Sequence, residues 1–205
     1  MVSDPTPISP DLTLFERADW SYSPYDGEML KEELLADMPK PLGQSMTMRV
    51  YVDSDHAGDK LTRHSRTGFM IFMNTALIDA LSKKQATIET SVFGAEFVAL
   101  KHGIERLRGL RYKLRMMGVS ISGPSYIYGD NMSVIHNTQR PESTLKKKSH
   151  SLCYHAARES VAMGESLTGH IATDKNVADL LTKVLYGQKR KRIVGEILYD
   201  IYDDF

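Results

Sequence analysis

Between residues 46 and 53, Met46, Met48, Val50 and Val52 alternate with Thr47, Arg49, Tyr51 and Asp53. A period of two marks a strand with one buried face. The polar turn "SDHAGDKLTRHSRT" follows, then two more apolar runs, "GFMIFMN" and "ALIDALSKK". Three strands joined by short connections predict an antiparallel meander. The period then changes. Over about 88–117, Phe93, Phe97, Leu100, Ile104, Leu107, Leu114 and Met117 recur at spacings of three, four or seven, which predicts a long amphipathic helix stopped by Gly118. "PSYIYGD" reads as a short strand ending in Asp130, "NMSVIHNTQ" as a short helix and "TLKKKSHSLCYHAARESVAMGE" as a longer one. "SLTGHIAT" supplies the last strand, and "DKNVADLLTKVL" a helix with Asp174 as its cap. The basic run "KRKR" opens a final amphipathic helix with Ile193, Ile197 and Ile201 on one stripe. A meander continued by right-handed crossovers gives an α/β fold: three antiparallel strands, then parallel additions to the same sheet, with helices on both faces.

Residues 1–45 have another texture, rich in proline and holding the only tryptophan, Trp20. They read as an extended leader, with one short helix around "GEMLKEELLADM" and a loop, "WSYSPYDG", pinned by its aromatics. The chain thus divides into a leader at 1–45, a domain at 46–186 and a basic C-terminal helix at 187–205.

Composition narrows the class only a little. The hydrophobic content of 41% and charged content of 25% over 205 residues suit an ordinary globular domain with one core. Lys+Arg and Asp+Glu are both 26, so net charge points to no partner. The single Cys153 rules out an internal disulfide and suits a reducing compartment. No run approaches the roughly 18 apolar residues of a membrane span, and the N-terminus lacks the order of a signal peptide.

The chemistry lies in the acids. "YVDSDHAGDK" opens like a calcium loop, with Asp53, Asp55 and Gly58 at its first, third and sixth places. An EF-hand also needs an oxygen ligand at the fifth and Glu at the twelfth, where this chain has Ala57 and His64. The flanking strand rules it out as well. Asp53 and Asp130 instead end two strands that the topology makes neighbours. Glu96 lies one residue off the core stripe of the long helix, and Asp179 lies in the first turns of the helix that follows the last strand. Four acids meeting in one place would take up protons or bind cations, and hard Mg²⁺ suits oxygen ligands. Two such ions about 4 Å apart support an in-line phosphoryl displacement.

The ordered segments "YVDSDHAGD", "SRTGFMIF", "LSKKQATIETS" with "AEFVAL", "YGDNMSVI" and "NVADLLTK", over about residues 46–186, resemble the ribonuclease H domain of copia-type LTR retrotransposon Pol polyproteins. The wording is nearest the branch known from microalgal elements. The resemblance implies a ribonuclease H-like fold and an endonuclease that cuts the RNA strand of an RNA–DNA hybrid, leaving 3′-hydroxyl and 5′-phosphate ends. It makes Asp53, Glu96, Asp130 and Asp179 the catalytic, metal-binding carboxylates for two Mg²⁺, with Mn²⁺ as the substitute. It also implies a reverse transcriptase as covalent neighbour and a cytoplasmic particle, or the nucleus, as location. Many relatives carry two acids on the helix, but the first of these positions is Gly94 here. Relatives also carry a mobile His before the last Asp; His170 stands nine residues before Asp179, but on a strand. His170 and Asp55 are the accessory candidates.

Substrate contacts should combine phosphate binding with reading of the 2′-hydroxyl. Lys84, Gln85, Thr90 and Ser91 precede Glu96 and are candidates, as is Asn131, which can reach a sugar or cap its helix. "LKKKS" and "QKRKR" are candidate phosphate patches. His150 and His155 do not share a helical face as a metal pair would, and are read as solvated or packing residues. The alternative reading keeps the fold without the activity, as a nucleic-acid-binding or structural module.

Overall fold

The computed structural model describes residues 11–15, 17–21, 32, 34–121, 123–145 and 148–197. Its strands are β1 (Leu42–Met46), β2 (Met48–Asp55), β3 (Arg66–Met73), β4 (Ala76–Lys84), β5 (Val119–Ile121), β6 (Ser125–Gly129) and β7 (Ser166–His170). Its helices are α1 (Val92–Met116), α2 (Met132–Gln139), α3 (Ser151–Ala162), the single turn α4 (Asp179–Thr182) and α5 (Gly187–Ile197). The main sheet runs β4-β3-β2-β6-β7. Its first three strands are antiparallel, and β6 and β7 are added in parallel. That is the expected mixed five-stranded sheet.

One face of the sheet carries Met48, Val50, Val52, Phe69, Ile71 and Ile127, packed against Phe97, Leu100, Ile104 and Leu107 of α1. Each such side chain, fully buried, stabilises the fold by about 1.5–3 kcal/mol. Close approach depends on Gly103, because a Cβ there would lie 2.8 Å from Val52 Cγ1. The opposite face carries Met70 and Phe72, covered by Val177, Leu180, Leu181 and Ile193. Tyr51 stacks on Tyr128 with ring centroids 4.8 Å apart, and Phe15 meets Tyr128 edge-on. The expectation of one buried face for β2 is therefore corrected. As the central strand it is covered on both sides, so its "polar" positions Arg49 and Asp53 are buried too.

Other differences are local. A second, two-stranded sheet, β1 with β5, was not foreseen. The domain start drawn at residue 46 falls inside β1, and earlier residues also pack on the domain. Phe15 fills the space above Gly169, Arg158 stacks over Trp20 at 4.9 Å, and Glu32 pairs with Arg111 at 2.7 Å and with Arg115. The leader helix expected around 27–38 lies largely outside the described residues, and 34–38 are not helical. Ile201 lies outside them as well. The helix expected from Asp174 breaks into a 3₁₀ turn, Thr173–Lys175, and α4. Asn176 causes the break: its buried amide donates to Val52 O at 2.9 Å and its Oδ1 accepts from Ala178 N. Asp174 accordingly caps nothing and faces Arg192 at 3.7 Å.

Candidate active site

β2 and β6 run in parallel with Tyr51 beside Tyr128, so two residues further on Asp53 and Asp130 come side by side at the same sheet edge. Ser91 caps α1 by accepting from Gly94 N at 3.2 Å, which starts the helix so that its second turn brings Glu96 over that edge. Oxygens of Asp53, Glu96 and Asp130 then lie within 4.8 Å of one another. Asp53 is fully buried and Glu96 nearly so. Burial, together with the charges of Asp179 and Asp130, pushes the Asp53 carboxyl up to about 6, against the opposing hydrogen bond from Thr182 and the charge of Lys183. Burial, with Asp53 and Asp130, pushes Glu96 up to about 8. Carboxyls driven up by burial and by neighbouring acids gain from added positive charge. Three oxygen donors at this spacing fit a hard divalent ion.

Asp179, the fourth acid, is also buried, held at the start of α4 by the turn that Asn176 fastens to β2. It stands outside the 4.8 Å grouping of the trio, and both its oxygens are engaged. Oδ1 accepts from Lys183 at 2.6 Å and Oδ2 from Lys189. Lys183 also donates to Asp53 Oδ1 at 3.1 Å, and Thr182 Oγ1 donates to Asp53 Oδ2. Burial opposes the charge of Lys183, but its bonds to Asp179 and Asp53 outweigh this and raise its pKa above that of an ordinary ammonium. Neither Thr182 nor Lys183 was singled out from sequence. The four-residue spacing from Asp179 to Lys183 was the available signal. Lys189, read as part of a phosphate patch, faces Asp179 instead.

Glu96 and Asp130 open into a trough of about 550 Å³ lined also by Asp55, His56, Asn131, Ser133 and Lys183. Asn131 caps α2, accepting from Ser133 N and Val134 N. Asp55 borders the trough, and its carboxylate folds over Gly58, where a Cβ would lie 1.7 Å from Oδ2. His170 ends β7 with Nε2 3.2 Å from Asp130 O, adjacent to the trio but on the strand. Lys84 is exposed, 3.3 Å from Asp59, and Thr90 is exposed. Asp59 organises its turn: hydrogen bonds from Thr62 and Leu61 hold its carboxyl below the usual range. Gln85 is corrected as a substrate contact. It is buried, and its amide donates to Thr67 Oγ1 and Ala95 O, which fastens the end of β4 to α1. His150 is buried with Nδ1 3.3 Å from Glu89, and its ring fills the place a side chain at 94 would need, 2.2 Å from a built Cβ. Packing, not solvation, is its role. His155 is exposed.

This sheet, with acids at the ends of its two central parallel strands and on the crossing helix, has the ribonuclease H architecture. Comparison with solved structures shows the same fold. The N-terminal RNase H domain of rv2228c from Mycobacterium tuberculosis matches with a TM-score of 0.52 at 13% identity, covering 67% of this chain and 91% of that one. LC11-RNase H1, solved in complex with an RNA/DNA hybrid, matches with a TM-score of 0.53 at 18% identity, covering 66% and 94%. Among curated proteins, the relatives are retrovirus-related Pol polyproteins of transposons. That from transposon RE2 of Arabidopsis thaliana is 29% identical over 143 residues, 70% of this chain and 10% of the relative. That from transposon TNT 1-94 of Nicotiana tabacum is 29% identical over 156 residues, 75% and 12%. The chain therefore spans about a tenth of the length of these relatives. No family model matches it. Among the described residues, no helix is long and apolar enough to cross a membrane.

Proposed function

We propose that this chain is the ribonuclease H portion of a retrotransposon Pol polyprotein, hydrolysing the RNA strand of RNA–DNA hybrids in a cytoplasmic particle or the nucleus. The observation that carries the reading is the cluster of buried Asp53 and Glu96 with partly buried Asp130, two of its carboxyls pushed up by burial and mutual repulsion. These three would hold a divalent ion, Mg²⁺ or Mn²⁺, and Asp179 would share a second with Asp53. Such ions supply Lewis acidity toward water and phosphoryl oxygen and offset charge on the leaving 3′ oxygen. The chain's own contribution is to fix the carboxylates on two strands and a helix, so that little reorganisation remains for the reaction. Asn131, Ser133 and His56 border the trough and would meet the sugar and phosphates of the hybrid, while exposed Lys84 and Thr90 lie farther along β4 and the α1 approach.

A module that keeps the fold without the activity is the competing reading, and one observation favours it: the two ammoniums on Asp179. The deciding experiment is cleavage of a labelled RNA–DNA hybrid in Mg²⁺, beside duplex RNA and duplex DNA, with Asp130→Asn as control. Hybrid-only cutting with 5′-phosphate products, lost in the variant, is expected. Absence of cutting in both Mg²⁺ and Mn²⁺ by a folded chain would leave the module.

A further inference from the structure

Lys183 sits where the proposed reaction needs a cation. One Nζ lies 2.6 Å from Asp179 Oδ1 and 3.1 Å from Asp53 Oδ1, so it bridges the two acids that would share a second ion. The arrangement is built into the backbone. Asn176 ties its turn to Val52, α4 begins at Asp179, and Lys183 follows one helical turn later on the same side. Thr182 and Lys189 occupy the remaining oxygens of Asp53 and Asp179. The trio Asp53, Glu96 and Asp130 has no such ammonium on Glu96 or Asp130 among the described residues.

We infer that Lys183 is a positioning residue whose ammonium takes the place of the second divalent ion. The hybrid-free chain then loads one ion on Asp53, Glu96 and Asp130, and a second only after Lys183 withdraws. This rests on the ribonuclease reading above for its purpose, though not for its measurement. Lys183 has somewhere to go: it is about a third exposed and lines both the trough and an adjoining pocket of about 500 Å³ with Asp55, Asp59, Arg66 and Lys84. A hybrid phosphate arriving there offers the ammonium a new anionic partner and frees the gap between Asp53 and Asp179. Loading of the second ion is thereby tied to the presence of substrate.

The test counts Mn²⁺ bound to the nucleic-acid-free chain by electron paramagnetic resonance of the unbound ion. One ion is expected on the wild type, two on Lys183→Met, which keeps the stem without the charge, and one on Lys183→Arg. Affinity for the second ion should rise roughly ten-fold or more in Lys183→Met, with the first changed far less. Asp179→Asn should still bind one ion, since Asp179 belongs to the occupied gap, and this arm decides if Lys183→Met proves unfolded by circular dichroism. Two ions of similar affinity on the wild type, one on a folded Lys183→Met, or none on Asp179→Asn would each overturn the inference. One bound ion with no hybrid cleavage would sink the ribonuclease reading and leave the role of Lys183 standing.

Discussion

Two partly or wholly buried carboxylate sites in this molecule behave in opposite ways. Glu32 sits among guanidiniums: burial works against its charge, but hydrogen bonds from Arg111 and Arg115 win and hold it down to about 2. Glu96 is buried among other acids and is driven up to about 8. Burial costs the charged form something in both places, so the neighbours decide the sign. Glu32 is a strap that ties the leader to α1. Glu96 belongs to a cluster of acids held in a costly state, as sites built for chemistry commonly are.

The comparison breaks most clearly on activity. Glu96→Gln should lower hybrid cleavage by roughly a thousand-fold or more, about 4 kcal/mol of lost transition-state stabilisation. The same variant should leave the metal-free chain equally or more stable in thermal unfolding, because repulsion is relieved; a marked drop would mean Glu96 is structural. Glu32→Gln should do the reverse. It leaves Arg111, almost fully buried, without its carboxylate, and should cost about 2–3 kcal/mol once the partial exposure of Glu32 is discounted. Cleavage per folded molecule should be unchanged.

The pH dependence sharpens the contrast. Asp53 and Glu96 have folded-state pKa values above their ordinary ones, so their contribution is present below about pH 4 and lost as pH rises through about 6 and then 8. The melting temperature of the metal-free chain should therefore fall between pH 5 and 8, less steeply in Glu96→Gln. Glu32 has the opposite sign: its contribution is present above about 4.5 and lost toward about 2. The deficit of Glu32→Gln should shrink over that lower window and nowhere else. Asp79→Asn gives the smallest effect. It removes the partner of Arg106, a half-exposed guanidinium, and should change stability by less than about 1 kcal/mol in denaturant unfolding.

Much of this was legible in the chain. Periods of two and of three to four located β2, β3, β4 and α1, and the acids at element ends marked the trio. The β1–β5 sheet was not legible, since both strands are short and exposed or half-exposed, and no alternation announces them. Helical propensity over 174–185 misled because one side chain, Asn176, bonds Val52 O across the fold and redirects the backbone. Gln85 looked like a surface contact in a polar run; only the tertiary structure shows its amide turned inward. Lys183 was visible as a letter in "NVADLLTK", but its position between Asp53 and Asp179 depends on a contact 130 residues apart.

The packing of His150 against Gly94 also limits how the chain can change. A side chain at 94 meets the buried imidazole at once. An acid at 94 would collide with the His150 ring, and its Cβ alone would lie 2.8 Å from Glu89 Oε2, so both side chains would have to move to admit it. Positions 89, 94 and 150 therefore constrain one another beside Glu96, and substitution at one has to be met at the others.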